Sequence, residues 1–229
     1  MMRFRLKICL MVFLASLLGA GTHLHASSLG SLKLVKPDSG AKAVSAEVTG
    51  FRSANFSMDE KEIYRAIFKD FKIPRSKIAR SIHPVEKTIT LGITVEDLLP
   101  GSGASHIFYI LGHRSEKLMQ VNIIWGKPVD PKSEPQTVVE TANQLRNHFI
   151  QEGFQREGLA VNTPLEDGSI LVFRGKDQKG RMAVLLLQNP ADKGGEKGGA
   201  NKIDDVNLRL SYIEKPDAPD IFKIKKGDF

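Results

Sequence analysis

Cysteine is nearly missing from this chain: Cys9 is the one such residue in 229. That scarcity excludes a disulfide framework, a Cys-ligated metal centre, a redox dithiol and, past residue 9, a cysteine nucleophile. Stability must come from core burial, and a chain of this size buries about 70% of its unfolded surface. Acidic residues are outnumbered, 26 against 33 basic, for a formal net charge of +7. No apolar run is long enough to span a bilayer. The longest, residues 8–20, would reach about 20 Å as a helix against a hydrocarbon core of about 30 Å.

That run nevertheless carries information. Arg3, Arg5 and Lys7 precede it, and small and polar residues follow it up to Ala26. Charge, then apolar run, then small residue is the order of a Sec-type export signal. The expectation is cleavage after Ala26, with a cut after Gly21, or a retained membrane anchor, as the alternatives. Phe4 separates Arg3 from Arg5, so there is no twin-arginine pair. Lys7 stands two residues before Cys9, inside what would be a lipidation box, so a lipoprotein is not expected. Removal of residues 1–26 takes away three basic residues and no acidic one, which lowers the net charge to +4. So mild a charge suits a solvated surface in a bacterial envelope.

The remaining chain divides by pattern. Residues 27–50 are rich in Ser, Gly, Ala and Lys and read as a flexible leader. Ser57-Met58-Asp59-Glu60 has capping-box spacing, and Ile63, Tyr64, Ile67, Phe68 and Phe71 follow at helical intervals. Ile89, Leu91, Ile93 and Val95 then alternate with Thr88, Thr90, Gly92 and Thr94, which predicts a half-buried strand. Residues 107–111 are an apolar run, and Met119, Val121, Ile123 and Trp125 alternate with Gln120 and Asn122. Residues 51–126 thus form a first helix-strand-strand-strand unit.

Residues 127–135 carry Pro128, Pro131 and Pro135 and read as a linker. The pattern then recurs over 136–215. Ser133 and Gln136 have capping-box spacing; Val138, Ala142, Leu145 and Phe149 make a helical stripe, closed by Gly153. Strands are expected at 170–173, 182–187 and 206–213. An offset of 78 residues lays Tyr64 on Ala142, Ile67 on Leu145 and Phe71 on Phe149. Residues 216–229 read as a basic C-terminal tail. The expected fold is α+β: two similar units, six main strands, and both helices on one face of antiparallel sheet.

The first helix opens on Phe56-Ser57-Met58-Asp59-Glu60-Lys61-Glu62-Ile63. This stretch resembles the start of bacterial envelope modules of the SmpA/OmlA and β-lactamase-inhibitor-protein type, in which a Gly-Met-Thr-like cap leads into a short helix on a small antiparallel sheet. Ser57 stands where glycine is usual in those modules, and Asp59 where Ser or Thr is usual. The resemblance implies an interaction module rather than an enzyme, and it assigns no functional residue.

Motifs with chemical potential fall short one by one. His83, His106, His113 and His148 never stand four apart, so no two share a helix face as ligands. Gly101-Ser102-Gly103 lacks the spacing of a nucleophile elbow, and the glycine-rich stretch 194–202 lacks the Gly-Lys-Ser/Thr end of a phosphate loop. Glu96-Asp97, Glu166-Asp167 and Asp204-Asp205 are sequence neighbours, which read as turn caps rather than acid–base pairs. Asn55-Phe56-Ser57 fits a glycosylation sequon but overlaps the helix start. Lys69, Lys72, Arg75, Lys77, Arg80 and Lys87 cluster after the first helix, where a helix C-terminus favours basic side chains. Phe229 ends the chain, but Lys223, Lys225 and Gly227 do not give it an apolar strand face.

These observations lead to one expectation of function: an exported, non-enzymatic interaction or assembly protein, periplasmic with secretion as the alternative, with no cofactor or metal. A protein partner in the envelope would dock on the polar sheet face, at Thr88, Thr90, Gln120, Asn122, Asn207 and Arg209, with Ser211 beside them. Weak contact with anionic membrane is a second expectation, and nucleic acid is not a partner. The alternatives are an envelope hydrolase with a site assembled from distant residues, or a small-ligand carrier.

Overall fold

The computed structural model describes residues 45–188 and 206–224. The export signal, leader residues 27–44, the glycine-rich segment 194–202, Asp204-Asp205 and residues 225–229 lie outside the described residues. In chain order the elements are β1 (Gly50–Phe51), β2 (Ala54–Asn55), α1 (Glu60–Phe71) and a short 3-10 turn (Arg75–Lys77). Four strands follow: β3 (Ala79–Ile82), β4 (Ile89–Val95), β5 (Ser105–Leu111) and β6 (Leu118–Gly126). Then come α2 (Pro135–Gln151), β7 (Ala160–Pro164), β8 (Ile170–Lys176), β9 (Met182–Gln188) and β10 (Asn207–Ile213).

β1 and β2 form a small ribbon, and Gly50 is needed there. A side-chain carbon at this position would strike the Ala54 carbonyl, and its φ is +138°. The other eight strands make one antiparallel sheet in the order β3-β4-β5-β6-β10-β9-β8-β7. The fold is therefore α+β, as the patterning indicates. Each helix leads into four strands rather than three, and the last strands of the two meanders, β6 and β10, pair at the centre. The strands without a sequence signal are the edges, β3 and β7. Every residue of β3 is exposed, and β7 is exposed apart from the half-buried Ala160. An edge strand with no buried face shows no alternation, and Pro164 and the positive φ of Asn162 further disguise β7.

Both helices cover the same face. Ile63, Ala66 and Ile67 of α1 are buried in one core with Leu91, Ile107, Tyr109 and Val121. From α2, Phe149 stacks on Phe173 of β8 at 5.2 Å and meets Tyr212 of β10 edge-on at 6.3 Å. Of the matched pairs along the helices, Ile67 and Leu145 are both buried. Phe68, expected in the stripe, is 55% exposed.

Both expected helix caps shift. The box on α1 is Asp59–Glu62, two residues downstream of Ser57–Glu60: Glu62 N–H donates to Asp59 Oδ1 at 2.9 Å, and Asp59 N–H donates to Glu62 Oε2 at 2.8 Å. Ser57 has φ +69°, outside the extended region a cap residue adopts. On α2 the cap is Glu134, without a side-chain cap bond, and Pro135 occupies the first turn. Proline forces the residue before it into extended backbone, so the helix starts at 135 and leaves Ser133 too far upstream. Gly153, with φ +75°, follows the C-cap Glu152 as the pattern suggests.

The flanking segments are tied down. Order is present before residue 50: Ala46 and Val48 are buried, and Val48 N–H donates to the buried Asp177 Oδ2 at 3.0 Å. Asp177 Oδ1 also accepts from the Lys179 and Arg181 amides at 2.8 and 2.9 Å, so one carboxylate closes the β8–β9 turn and holds the leader's end. At the other terminus, His113 N–H donates to Asp220 O, and Ser115 N–H to Asp220 Oδ2, both at 2.8 Å. Phe222 N–H donates to Glu86 O. Residues 216–224 thus strap two turns together, and Gly112 leaves the room that the Asp220 carboxylate occupies.

Candidate functional site

Strand pairing assigns every side chain to a face. On the face away from the helices, Thr90, Ile110, Gln120, Ile213 and Met182 lie side by side across β4, β5, β6, β10 and β9. The next row is Gly92, Phe108, Asn122, Ser211, Val184 and Arg174. A third is Thr94, His106, Ile124, Arg209, Leu186 and Leu171. Gly126, Asn207 and Gln188 close the sequence of rows.

Five of the six residues expected at a docking face therefore do share one: Thr90, Gln120, Asn122, Asn207 and Arg209. Each is half-buried. Thr88 does not join them as a surface group. It is 2% exposed, and its carbonyl accepts the His83 amide to close the β3–β4 turn. The face is also less polar than alternation in β4, β6 and β10 suggests. Phe108 and Ile110 form an apolar column on β5, and Met182, Val184 and Leu186 form another on β9. Both strands are apolar on both faces, so periodicity could not show which side each residue serves.

Between those columns runs a polar seam on β6 and β10. The columns are three strand spacings apart, about 14 Å. Gln120 Nε2 donates to Asn122 Oδ1 at 2.8 Å within the seam. Phe108 lies over Gly92, whose missing side chain makes room for the ring, and His106 meets that ring edge-on at 5.8 Å. None of these rows contains an aspartate or glutamate. Arg209 sits between Ile124 and Leu186. Arg174 Nε reaches the Gly158 carbonyl at 3.1 Å.

The helix side has small clefts instead. One of about 210 Å³ is lined by Phe51, Arg52, Leu99, Trp125, His148 and Tyr212. Another of about 290 Å³ shares Phe51, Arg52, His148 and Tyr212 with it. Burial pushes the Tyr212 hydroxyl up to about 12, with the Glu152 charge adding to it. A third cleft, also about 290 Å³, is not confined to the helix side: it lies between the β5–β6 turn and the C-terminal strap and reaches the open-face residues Gln120 and Ile213; there Ser57 Oγ donates to Glu214 Oε1 at 3.3 Å.

The histidines stay apart. His83 Nδ1 accepts the Glu86 amide, His113 stands edge-on to Phe222, and His148 Nε2 is 3.5 Å from Glu152 Oε1 on the surface of α2. Among the described residues, no group of three or more His, Cys, Asp or Glu side chains could hold a metal ion. No described helix is long and apolar enough to cross a membrane. The paired carboxylates serve turns: Asp97 Oδ1 accepts the Gly103 amide, and Asp167 Oδ1 accepts the Ser169 amide and hydroxyl. In the basic stretch, Arg80 pairs with Glu60 at 3.0 Å and Arg75 lies over Tyr64 at 4.4 Å. Comparison of the chain with protein-family models, with curated proteins and with solved structures finds no match in any of the three.

Proposed function

We propose that this is a non-enzymatic interaction or assembly protein of the bacterial periplasm, exported by its N-terminal signal, whose protein partner docks on the helix-free sheet face. One observation carries the reading: on that face apolar columns flank a seam of amide, hydroxyl and guanidinium groups. Such a mixture suits a non-obligate interface, where an apolar core sits among polar contacts. The net charge of +4 that remains once residues 1–26 are removed fits weak attraction to anionic membrane as a secondary property.

Two features support a duplicated αββββ unit behind the sheet. The strand order is palindromic about the β6–β10 pair. Asp97 after β4 and Asp177 after β8 make the same turn closure: each donates its amide to the carbonyl of a later turn residue and accepts that residue's amide on Oδ1. The resemblance to SmpA/OmlA and β-lactamase-inhibitor-protein modules also gains support from backbone geometry. Ser57, where those modules carry glycine, adopts the left-handed φ that glycine favours, and Asp59, where they carry Ser or Thr, is the helix cap.

Affinity capture from the envelope, read by mass spectrometry, tests the docking reading. Val184→Asp and Leu186→Asp should each remove the partner while circular dichroism stays unchanged. Phe68→Asp, on exposed α1 surface, should keep it. Loss with Phe68→Asp and retention with both β9 variants would sink the proposal.

A further inference from the structure

The charge on the open face says more about what covers it. Across eight strands the face carries Arg209, Arg174 and Lys176 and no carboxylate, although the chain holds 26 acidic residues. Lys176 is matched by Asp217 at 3.6 Å, and Arg174 is tethered to a carbonyl. Arg209 is different. It lies in the central seam, half-buried between two apolar residues, and has no hydrogen bond or ion pair within the described structure. A guanidinium held among Ile124 and Leu186 with its fork unused is a geometry that favours a carboxylate, which it can grip bidentately.

We infer that the occupant of the open face is an acidic amphipathic polypeptide segment, which sets a carboxylate on Arg209 and apolar side chains on the Phe108–Ile110 and Val184–Leu186 columns. This rests on the docking reading above and adds the partner's chemistry to it. The spacing of the columns, about 14 Å, exceeds the 10–12 Å diameter of a helix with its side chains, so one helix or a two-stranded ribbon fits between them. Hydrogen-bonding groups at Gln120, Asn122 and Asn207 suit the polar atoms of a polypeptide better than acyl chains. The chain's own leader does not match: residues 27–44 carry Lys33, Lys36 and Lys42 against Asp38, the same sign as the face.

Site-specific photo-crosslinking in intact cells tests this. A benzophenone amino acid replaces Leu186 or Ile124 in the full chain, and Phe68 in the control. The crosslinked peptide should come from another protein and carry net negative charge beside apolar residues. Its yield should fall at least about fivefold with Arg209→Glu and less with Arg209→Lys, since reversing one side of a charge pair is penalised, whereas lysine keeps the charge and loses only the bidentate grip. A basic or uncharged crosslinked peptide, a lipid adduct, an adduct to the chain's own leader, or a yield indifferent to Arg209→Glu in a variant of unchanged circular dichroism overturns the inference. Adducts at position 68 with none at 124 and 186 overturn the docking reading itself, which separates the two failures.

Discussion

Asp177→Ala offers the sharpest test of how the sheet is tied to its flanking chain. Asp177 is 2% exposed and accepts three amide hydrogen bonds, from Val48, Lys179 and Arg181. The three are not equivalent. Lys179 is exposed and Arg181 half-buried, so water can replace the carboxylate at those amides at small cost. Val48 is 4% exposed, and its amide would be left buried without an acceptor. Leaving such a group unsatisfied costs about 1–3 kcal/mol, and the lost charge-assisted bonds in the turn add about 1 kcal/mol. The expected total is about 2–4 kcal/mol in urea unfolding. Hydrogen exchange should place the local effect at residues 46–48, since Ala46 N–H is held by the Gly153 carbonyl beside them. Asp177→Asn, which keeps one acceptor oxygen, should lose less than Asp177→Ala. A loss below about 0.5 kcal/mol, with exchange at Val48 unchanged, would refute the role assigned to this carboxylate.

Ile67→Ala and Leu145→Ala remove buried side chains at matched positions of α1 and α2 and should each cost about 2–5 kcal/mol in urea unfolding; one value near zero would break the correspondence. Tyr109→Phe should leave the melting midpoint unchanged or raise it, because the buried Tyr109 hydroxyl has no hydrogen-bond partner among the described residues and its removal strands none of them; a loss above about 1 kcal/mol would show a partner. Burial pushes Asp220 up, but the Ser115 and Arg114 hydrogen bonds and the nearby His113 outweigh it and hold its carboxyl below the usual range. A depressed carboxyl contributes fully above its unfolded value, about pH 4, and loses that contribution as pH falls through the folded value. Hydrogen exchange corrected for intrinsic rate should therefore show the Ser115 amide opening as acid is added below about pH 4, and protection that persists far below it would contradict this.

How much of this was legible in the sequence depends on burial. Elements with one buried face announce themselves, as β4 does through Ile89, Leu91 and Ile93 against Thr90, Gly92 and Thr94. The helices are equally clear in their stripes, and alternation in β4, β6 and β10 places Thr90, Gln120, Asn122, Asn207 and Arg209 on one face. β3 and β7 left no pattern because edge residues bury neither side. Caps shifted for local reasons: the left-handed Ser57 moved one box by two residues, and Pro135 replaced the other. The apolar columns of the open face stayed hidden since β5 and β9 are hydrophobic on both sides, and only pairing separates Phe108 from Tyr109 or Leu186 from Leu185. The Asp177 clamp joins residues 129 apart, a separation no local pattern reports.

The scarcity of cysteine makes the central claim directly measurable. With Cys9 expected to leave with the signal, Leu186→Cys places one reporter thiol on the open face, and Phe68→Cys places one on α1. A maleimide should label both in the purified protein, the more exposed position 68 somewhat faster. In the intact envelope, labelling at 186 should slow at least about tenfold, because a well-packed interface excludes water and with it the reagent, while labelling at 68 should not change. Equal rates at 186 in envelope and purified protein, or slow labelling at 186 in both, would contradict the account of an open face that a partner covers.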